Sequence, residues 1–246
     1  MMASLGLFID ILFVGTMSMF RRPMRWKNLF KELNFVGNES FLVVIICVSF
    51  AAVVTIIEAS YHMKLVVQND TMVPGFASLL IIRELGSVVT ALLIGSRVGA
   101  GWAAEVAVMQ VTEQIDALKL LRISPIKYLV SPKIFGCVLG TLLLGLVANI
   151  LCLVCAMLVT QIKLGFPIST FLSMTRLFID VQDLFFAGIK LAVFGFVIPI
   201  IACFYGFKAK SGADGVGNAT TQAVVSISVA IIFLDFVLSY VFSYFY

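Results

Sequence analysis

The sequence predicts an all-α membrane protein of five transmembrane helices preceded by an N-terminal interfacial amphipathic helix. Three observations predict it. Of 246 residues, 61% are hydrophobic and 12% charged, with a mean hydropathy of +1.11, far from the composition of a water-soluble domain. Five stretches are apolar for about 20 residues, the helical length that crosses a hydrocarbon layer of about 30 Å. Lys and Arg gather at the ends of alternate stretches, as they do in chains oriented across a bilayer.

The first element is the apolar run Leu5–Phe20, interrupted by Asp10 and followed by Arg21, Arg22, Arg25, Lys27 and Lys31. A cleaved signal carries its positive charges before the apolar run, not after it. The run is also short for a span, so it reads as a helix lying in the interface with Trp26 at headgroup level. Residues 1–40 thus form a first segment, interfacial helix plus basic stretch, and 41–246 form the five-span domain. Span one is Phe41–Ser60, with Glu58 and Tyr61 at its outer end and the sole histidine, His62, in a short loop beyond. The sequons at Asn38, Asn69 and Asn218 are short enough to arise by chance.

Span two, Gly75–Gly95, lies in the apolar stretch Val73–Val98 and contains Arg83 next to Glu84. Ionisable residues at membrane depth are costly and point to a functional or paired role. Adjacent helical side chains diverge by about 100°, so they are not expected to pair with each other. Small residues follow: Gly95, Ser96, Gly99, Ala100 and Gly101. Gly95-x-x-x-Gly99 allows close helix approach, and is common in any apolar helix. Ala103–Leu121 keeps helical periodicity but is too polar to span. Its apolar positions are Val108, Val111, Ile115, Leu118 and Leu121–Ile123; Gln110, Glu113, Gln114, Asp116 and Lys119 are polar. Such a helix either rests on lipid or docks in a partner's groove. Ser124-Pro125 and Ser131-Pro132 are expected to break it before span three.

Span three is Ile134–Ile162. Its Cys152 and Cys155 lie three apart on one helix, poor disulfide geometry, and read as packing. Span four is Leu184–Phe207, with Lys190 at its mouth. The loop Ser211–Gly217 lacks the Lys-Ser/Thr of a phosphate-binding loop and reads as a flexible turn. Span five, Ala223–Phe245, carries Asp235.

Twelve Lys/Arg fall on the side of the N-terminal segment and four (Lys64, Lys163, Arg176, Lys190) on the other, placing the N-terminus in the cytoplasm and the C-terminus outside. The net charge of +4 follows this topology, so nucleic acid is not an expected partner. One histidine and dispersed cysteines offer no metal-ligand set, and no stretch supplies an ATPase.

The chain is similar to the MlaE/YrbE family of ABC-transporter permeases, which move lipids between bacterial membranes. The resemblance is carried by Arg83-Glu84-Leu85-Gly86, Thr90-Ala91-Leu92-Leu93, Gly95 with Arg97-x-Gly99, Ala104-Glu105, Met109, Thr112 to Leu118, and Tyr128-Leu129-Val130-x-Pro132. A second patch comprises Tyr205-Gly206, Gly212 to Gly217, Ala219-Thr220-Thr221-x-Ala223-Val224-Val225 and Leu234-Asp235-Phe236. Ser87 stands where the family has Pro, which is expected to straighten span two, and Glu58 where many relatives carry Gln or a small polar residue.

The resemblance implies a bacterial inner-membrane assembly. A second copy of the permease, a cytoplasmic ABC ATPase dimer that binds the ATP and Mg, and a periplasmic MCE-type lipid-binding hexamer complete it, with no cofactor in this chain. It implies that the segment between spans two and three is a cytoplasmic coupling helix, with Glu113, Gln114, Asp116, Leu118 and Lys119 contacting the ATPase. The expected cargo is phospholipid. Arg83 would meet its phosphate, Glu84 would balance the charge, and Glu58 and Tyr61 would line the cavity; Gly95, Gly99 and Gly101 would pack helices. The competing class is an ion-coupled secondary transporter with Arg83, Glu84 and Asp235 as relay. An intramembrane enzyme lacks a nucleophile–base pair.

Overall fold

The protein, analysed as a computed structural model, is described over residues 2–19, 26–66, 72–210 and 212–244; Arg21, Arg22, Arg25 and Asn69 lie outside them. Among the described residues eight helices run in order: α1 Met2–Met19, α2 Trp26–Val66, α3 Val73–Val111, α4 Gln114–Leu120, α5 Ile126–Leu164, α6 Ile168–Phe178, α7 Val181–Phe207 and α8 Ala213–Phe242. Among the described residues there is no strand. Helices α2, α3, α5, α7 and α8 are each long and apolar enough to span a membrane, in agreement with the five-span reading.

Every span is longer than its apolar stretch. Helix α2 starts at Trp26, so the boundary at residues 40 and 41 falls inside one helix, and His62 is helical rather than in a loop. Helix α8 begins at Ala213, so Ala213–Gly217 forms its first turns, not a flexible loop. Its polar residues are tolerated because hydroxyls fold back on the helix: Thr220 Oγ1 donates to Gly217 O at 2.7 Å, and Thr221 Oγ1 to the same carbonyl at 3.0 Å. Helix α5 likewise passes through Pro132. A wide π turn, Ile126–Val130, precedes it and shifts the hydrogen-bond register where the missing proline N–H would break an α-helix.

The chain divides into two compact units. The first comprises Met1–Ser40, Ala91–Thr141 and Ala192–Tyr246. Its core joins Ile11 of α1, Val106 of α3, Ile115 of α4, Val130 and Ile134 of α5, and Ile200 and Cys203 of α7. Helix α1 packs over Ile126–Val130, and Ser131 Oγ donates to Gly15 O at 3.3 Å. Its other side exposes Ile9 and Phe13 together with Asp10, the mixed surface expected of a helix lying in an interface.

The second unit comprises Phe41–Thr90 and Leu142–Leu191. Helix α6 closes on the start of α3, with Phe178 against Gly75 and Ser78 Oγ 2.9 Å from Thr175 Oγ1. The Cys152 thiol donates to Val48 O at 3.4 Å, a packing role within the second unit.

Candidate functional site

Arg83 and Glu84 sit in a π turn of α3, Ile81–Leu85. Such turns insert a residue, redirect the following side chains and recur at functional sites. The helix nevertheless continues unbroken through Ser87. Each of the two charges has a partner on α7. Arg83 Nε donates to Asp183 Oδ1 at 2.6 Å. Lys190 Nζ bonds both Glu84 oxygens at 2.9 Å and the Arg83 carbonyl at 3.0 Å. Asp183 and Lys190 stand two turns apart on α7, which lets one helix offer an acid and a base to consecutive residues of another.

The two partners are buried and the two α3 side chains are not. Asp183 and Lys190 are 1% and 3% exposed at their side chains, against 35% for Arg83 and 43% for Glu84. The unit therefore presents a guanidinium and a carboxylate side by side, each backed by a buried counter-ion. That arrangement holds both charges in an apolar setting and keeps part of each accessible to a dipolar or anionic group.

Neither counter-ion was picked out from the sequence. Lys190, read there as lying at the mouth of span four, is buried inside α7. Lys133, one of the twelve Lys/Arg counted on the side of the N-terminal segment, is 1% exposed at its side chain. Each side of the charge count thus loses one member, leaving eleven against three. A signal for Asp183 does exist. Asp180-x-x-Asp183 is a capping pattern, and the Asp180 N–H donates to Asp183 Oδ2 at 2.9 Å, anchoring the first turn of α7. A further polar patch was also missed. Gly86 packs directly on the Asn149 carboxamide, and both amide atoms of Asn149, Ser87 Oγ and Thr90 Oγ1 are buried without a hydrogen-bond partner among the described residues.

Glu58 and Tyr61 lie on an exposed face of α2. The Glu58 carboxylate stands 3.6 Å from His62 Nε2, one turn on, and the Tyr61 ring meets the same imidazole edge-on. No described contact joins them to Arg83 or Glu84.

The segment Ala103–Leu121 is not one helix. Helix α3 runs to Val111, Glu113 takes a left-handed conformation at φ 60°, and the seven-residue α4 follows. At its end Arg122 is again left-handed, at φ 56°, and the chain closes with Ile123 N–H to Leu118 O and Arg122 N–H to Lys119 O. Neither reversal uses Gly, so each stores about 1–2 kcal/mol of strain. Ile115 enters the core of the first unit, and Leu118 is half-buried. Glu113, Gln114, Asp116 and Lys119 face out, with Lys119 donating to Asp116 at 2.8 Å. Leu121 and Ile123 do not join the packed face; with Leu120, 87% exposed, they form a bare apolar tip.

Gly95, Gly99 and Gly101 lie where helices touch. A β-carbon at Gly95 would stand 2.6 Å from Ile227 of α8, and one at Gly99 2.5 Å from the same side chain. Gly101 faces Phe35 of α2.

Residues 29–241 match the family described as Permease MlaE. Curated relatives named "Probable ABC transporter permease protein" include one from Rickettsia typhi, 34% identical over 96% of this chain and 91% of its own length. Another from Rickettsia prowazekii is 35% identical over 97% and 92%. One from Synechocystis is 35% identical over 87% and 81%.

Proposed function

The chain belongs to the MlaE permease family, and from that premise we propose that this multi-pass ABC-transporter permease subunit moves phospholipid. In this reading two copies enclose an apolar cavity in the bacterial inner membrane. A separate cytoplasmic ABC ATPase dimer binds ATP and Mg and supplies the free energy, and a periplasmic MCE-type hexamer exchanges lipid with the cavity. The N-terminus is cytoplasmic and the C-terminus periplasmic.

The observation that supports a lipid cargo is the half-exposed Arg83–Glu84 pair backed by buried Asp183 and Lys190. A headgroup phosphate can take charge-assisted hydrogen bonds from the guanidinium, while a headgroup ammonium meets the carboxylate. Acyl chains need only the apolar helix faces around them. The ion-coupled reading asks Glu84 to gain and lose a proton; Glu84 instead holds Lys190 through both oxygens. What supports the ATPase contact is α4, short, fixed by Ile115, with exposed carboxylates and a bare leucine tip.

Lipid extracted from the purified protein and identified by mass spectrometry tests the cargo. Phospholipid enriched over the surrounding membrane, and reduced in Arg83→Lys because an ammonium cannot reproduce the bidentate fork, is the expected result. Lipid matching the bulk membrane in both proteins would reject the reading.

A further inference from the structure

A second buried charge cluster lies in the first unit. Lys133 of α5 is 1% exposed at its side chain and bonds Glu32 Oε1 of α2 at 3.2 Å. The same ammonium bonds Glu105 of α3 and stands 5.3 Å from the centre of the Trp102 ring. Trp102 Nε1 donates to the other Glu32 oxygen at 2.8 Å. Four side chains thus tie three helices at one point. The backbones are close here as well, since a β-carbon at Gly136 of α5 would stand 2.8 Å from Glu32 Cβ.

Its place in the chain is informative. Glu105 lies on the stem that leads into α4, and Lys133 on the stem that leaves it, just after the π turn Ile126–Val130. Their ion pair therefore closes the base of the excursion that carries α4. Ile115, the buried residue of α4, packs with Val106 beside Glu105 and with Ile134 beside Lys133. Any displacement of α4 acts on the neighbours of both charges. Glu105 is 45% exposed and Glu32 14%, so the ammonium joins one deep carboxylate and one at the surface. Buried ion clusters contribute little net stability compared with an apolar replacement, and their best-attested use is to fix or switch an arrangement.

We infer that Glu32, Trp102, Glu105 and Lys133 form a latch that transmits movement of α4 into the spans, coupling ATP hydrolysis to transport. This rests on α4 being the ATPase contact. With Lys133 bound to both carboxylates, both stems are tethered to α2. Displacement of α4 shifts the α3 stem against the α5 stem and changes how Lys133 is shared between Glu105 and Glu32.

The test uses the complex of permease and ATPase in vesicles, reading ATP hydrolysis and transfer of fluorescent phospholipid together. A charge-free latch, Lys133→Met with Glu32→Gln and Glu105→Gln, keeps volume and strands no charge. It should hydrolyse ATP yet move at least about fivefold less lipid per ATP, the lower end of site-to-site coupling. Lys133→Arg, which can fork to two carboxylates, should recover most of the loss. Trp102→Phe, which removes the indole N–H that donates to Glu32 and leaves Lys133 in place, should fall between. Unchanged lipid per ATP in the charge-free protein, or no recovery with Lys133→Arg, overturns the inference. If the charge-free protein does not assemble, Trp102→Phe decides, and wild-type coupling in it overturns the inference too. Should the wild-type complex move no lipid, the proposed cargo fails, but the latch is still read from spin labels at the exposed Val108 and Lys127. Their separation should change between ADP and ADP–vanadate in wild type and change less in Trp102→Phe; equal changes in both refute the latch.

Discussion

Arg83→Ala removes the guanidinium that Asp183 holds at 2.6 Å, and leaves a carboxylate 1% exposed. A hydrogen bond to a charged group contributes about 1.5–3 kcal/mol, and stranding one partner of a buried pair costs about 3–5 kcal/mol. Two features place this case near the boundary of those ranges. The Arg83 side chain is 35% exposed, which screens the pair, and Asp183 keeps the Asp180 amide at 2.9 Å. The expected loss is about 2–3 kcal/mol, or about 4–12 °C in melting temperature for a chain of this size. Asp183→Asn should be milder, since it leaves Arg83 partly in contact with solvent or headgroups. In a double-mutant cycle, Arg83→Ala with Asp183→Asn should be more stable than the sum of the single losses by about 1.5–3 kcal/mol. Thermal unfolding in detergent, followed by size-exclusion recovery, reads all four proteins. A melting temperature for Arg83→Ala within a degree of wild type, or additive losses, would refute the pairing argument.

Three further outcomes follow from particular contacts. Gly99→Val should lower stability by about 1–3 kcal/mol, because its β-carbon meets Ile227 at 2.5 Å; an unchanged melting temperature would show that α3 and α8 yield without strain. Glu113→Gly should stabilise the permease by about 1 kcal/mol through relief of the left-handed backbone, and a loss instead would mean the side chain outweighs the strain. Asp116→Lys places a repelling charge opposite Lys119 on the outer face of α4 and should reduce ATPase recovery on the permease, with span insertion intact; full recovery would leave α4 as a passive surface helix.

The five spans were legible because membrane crossing demands long apolar runs, and those runs survive in the folded chain. Their ends were not. Hydropathy stops at polar residues, whereas helices continue wherever polar side chains find local partners, as Thr220 and Thr221 do at the start of α8. The break at Thr112–Glu113 carries neither Gly nor Pro, and the apolar phase runs on across it, so periodicity joined two helices into one. Arg83 and Glu84 announced themselves as charges in an apolar stretch. Their partners did not, because Lys190 resembles a boundary lysine and Asp183 a helix cap until the tertiary structure brings α7 against α3. The same holds for Lys133, whose neighbours Glu32 and Glu105 lie 101 and 28 residues away.

The central question is whether this permease moves lipid at the expense of ATP hydrolysed by a partner. The most direct measurement is purification of the chain with its bound subunits, reconstitution into vesicles carrying fluorescent phospholipid, and transfer to an acceptor with and without ATP. A co-purifying ATPase, no hydrolysis by the isolated permease, and transfer that needs ATP are the expected results. Transfer driven by an ion gradient with no ATPase present, or hydrolysis with no lipid moved, would contradict them.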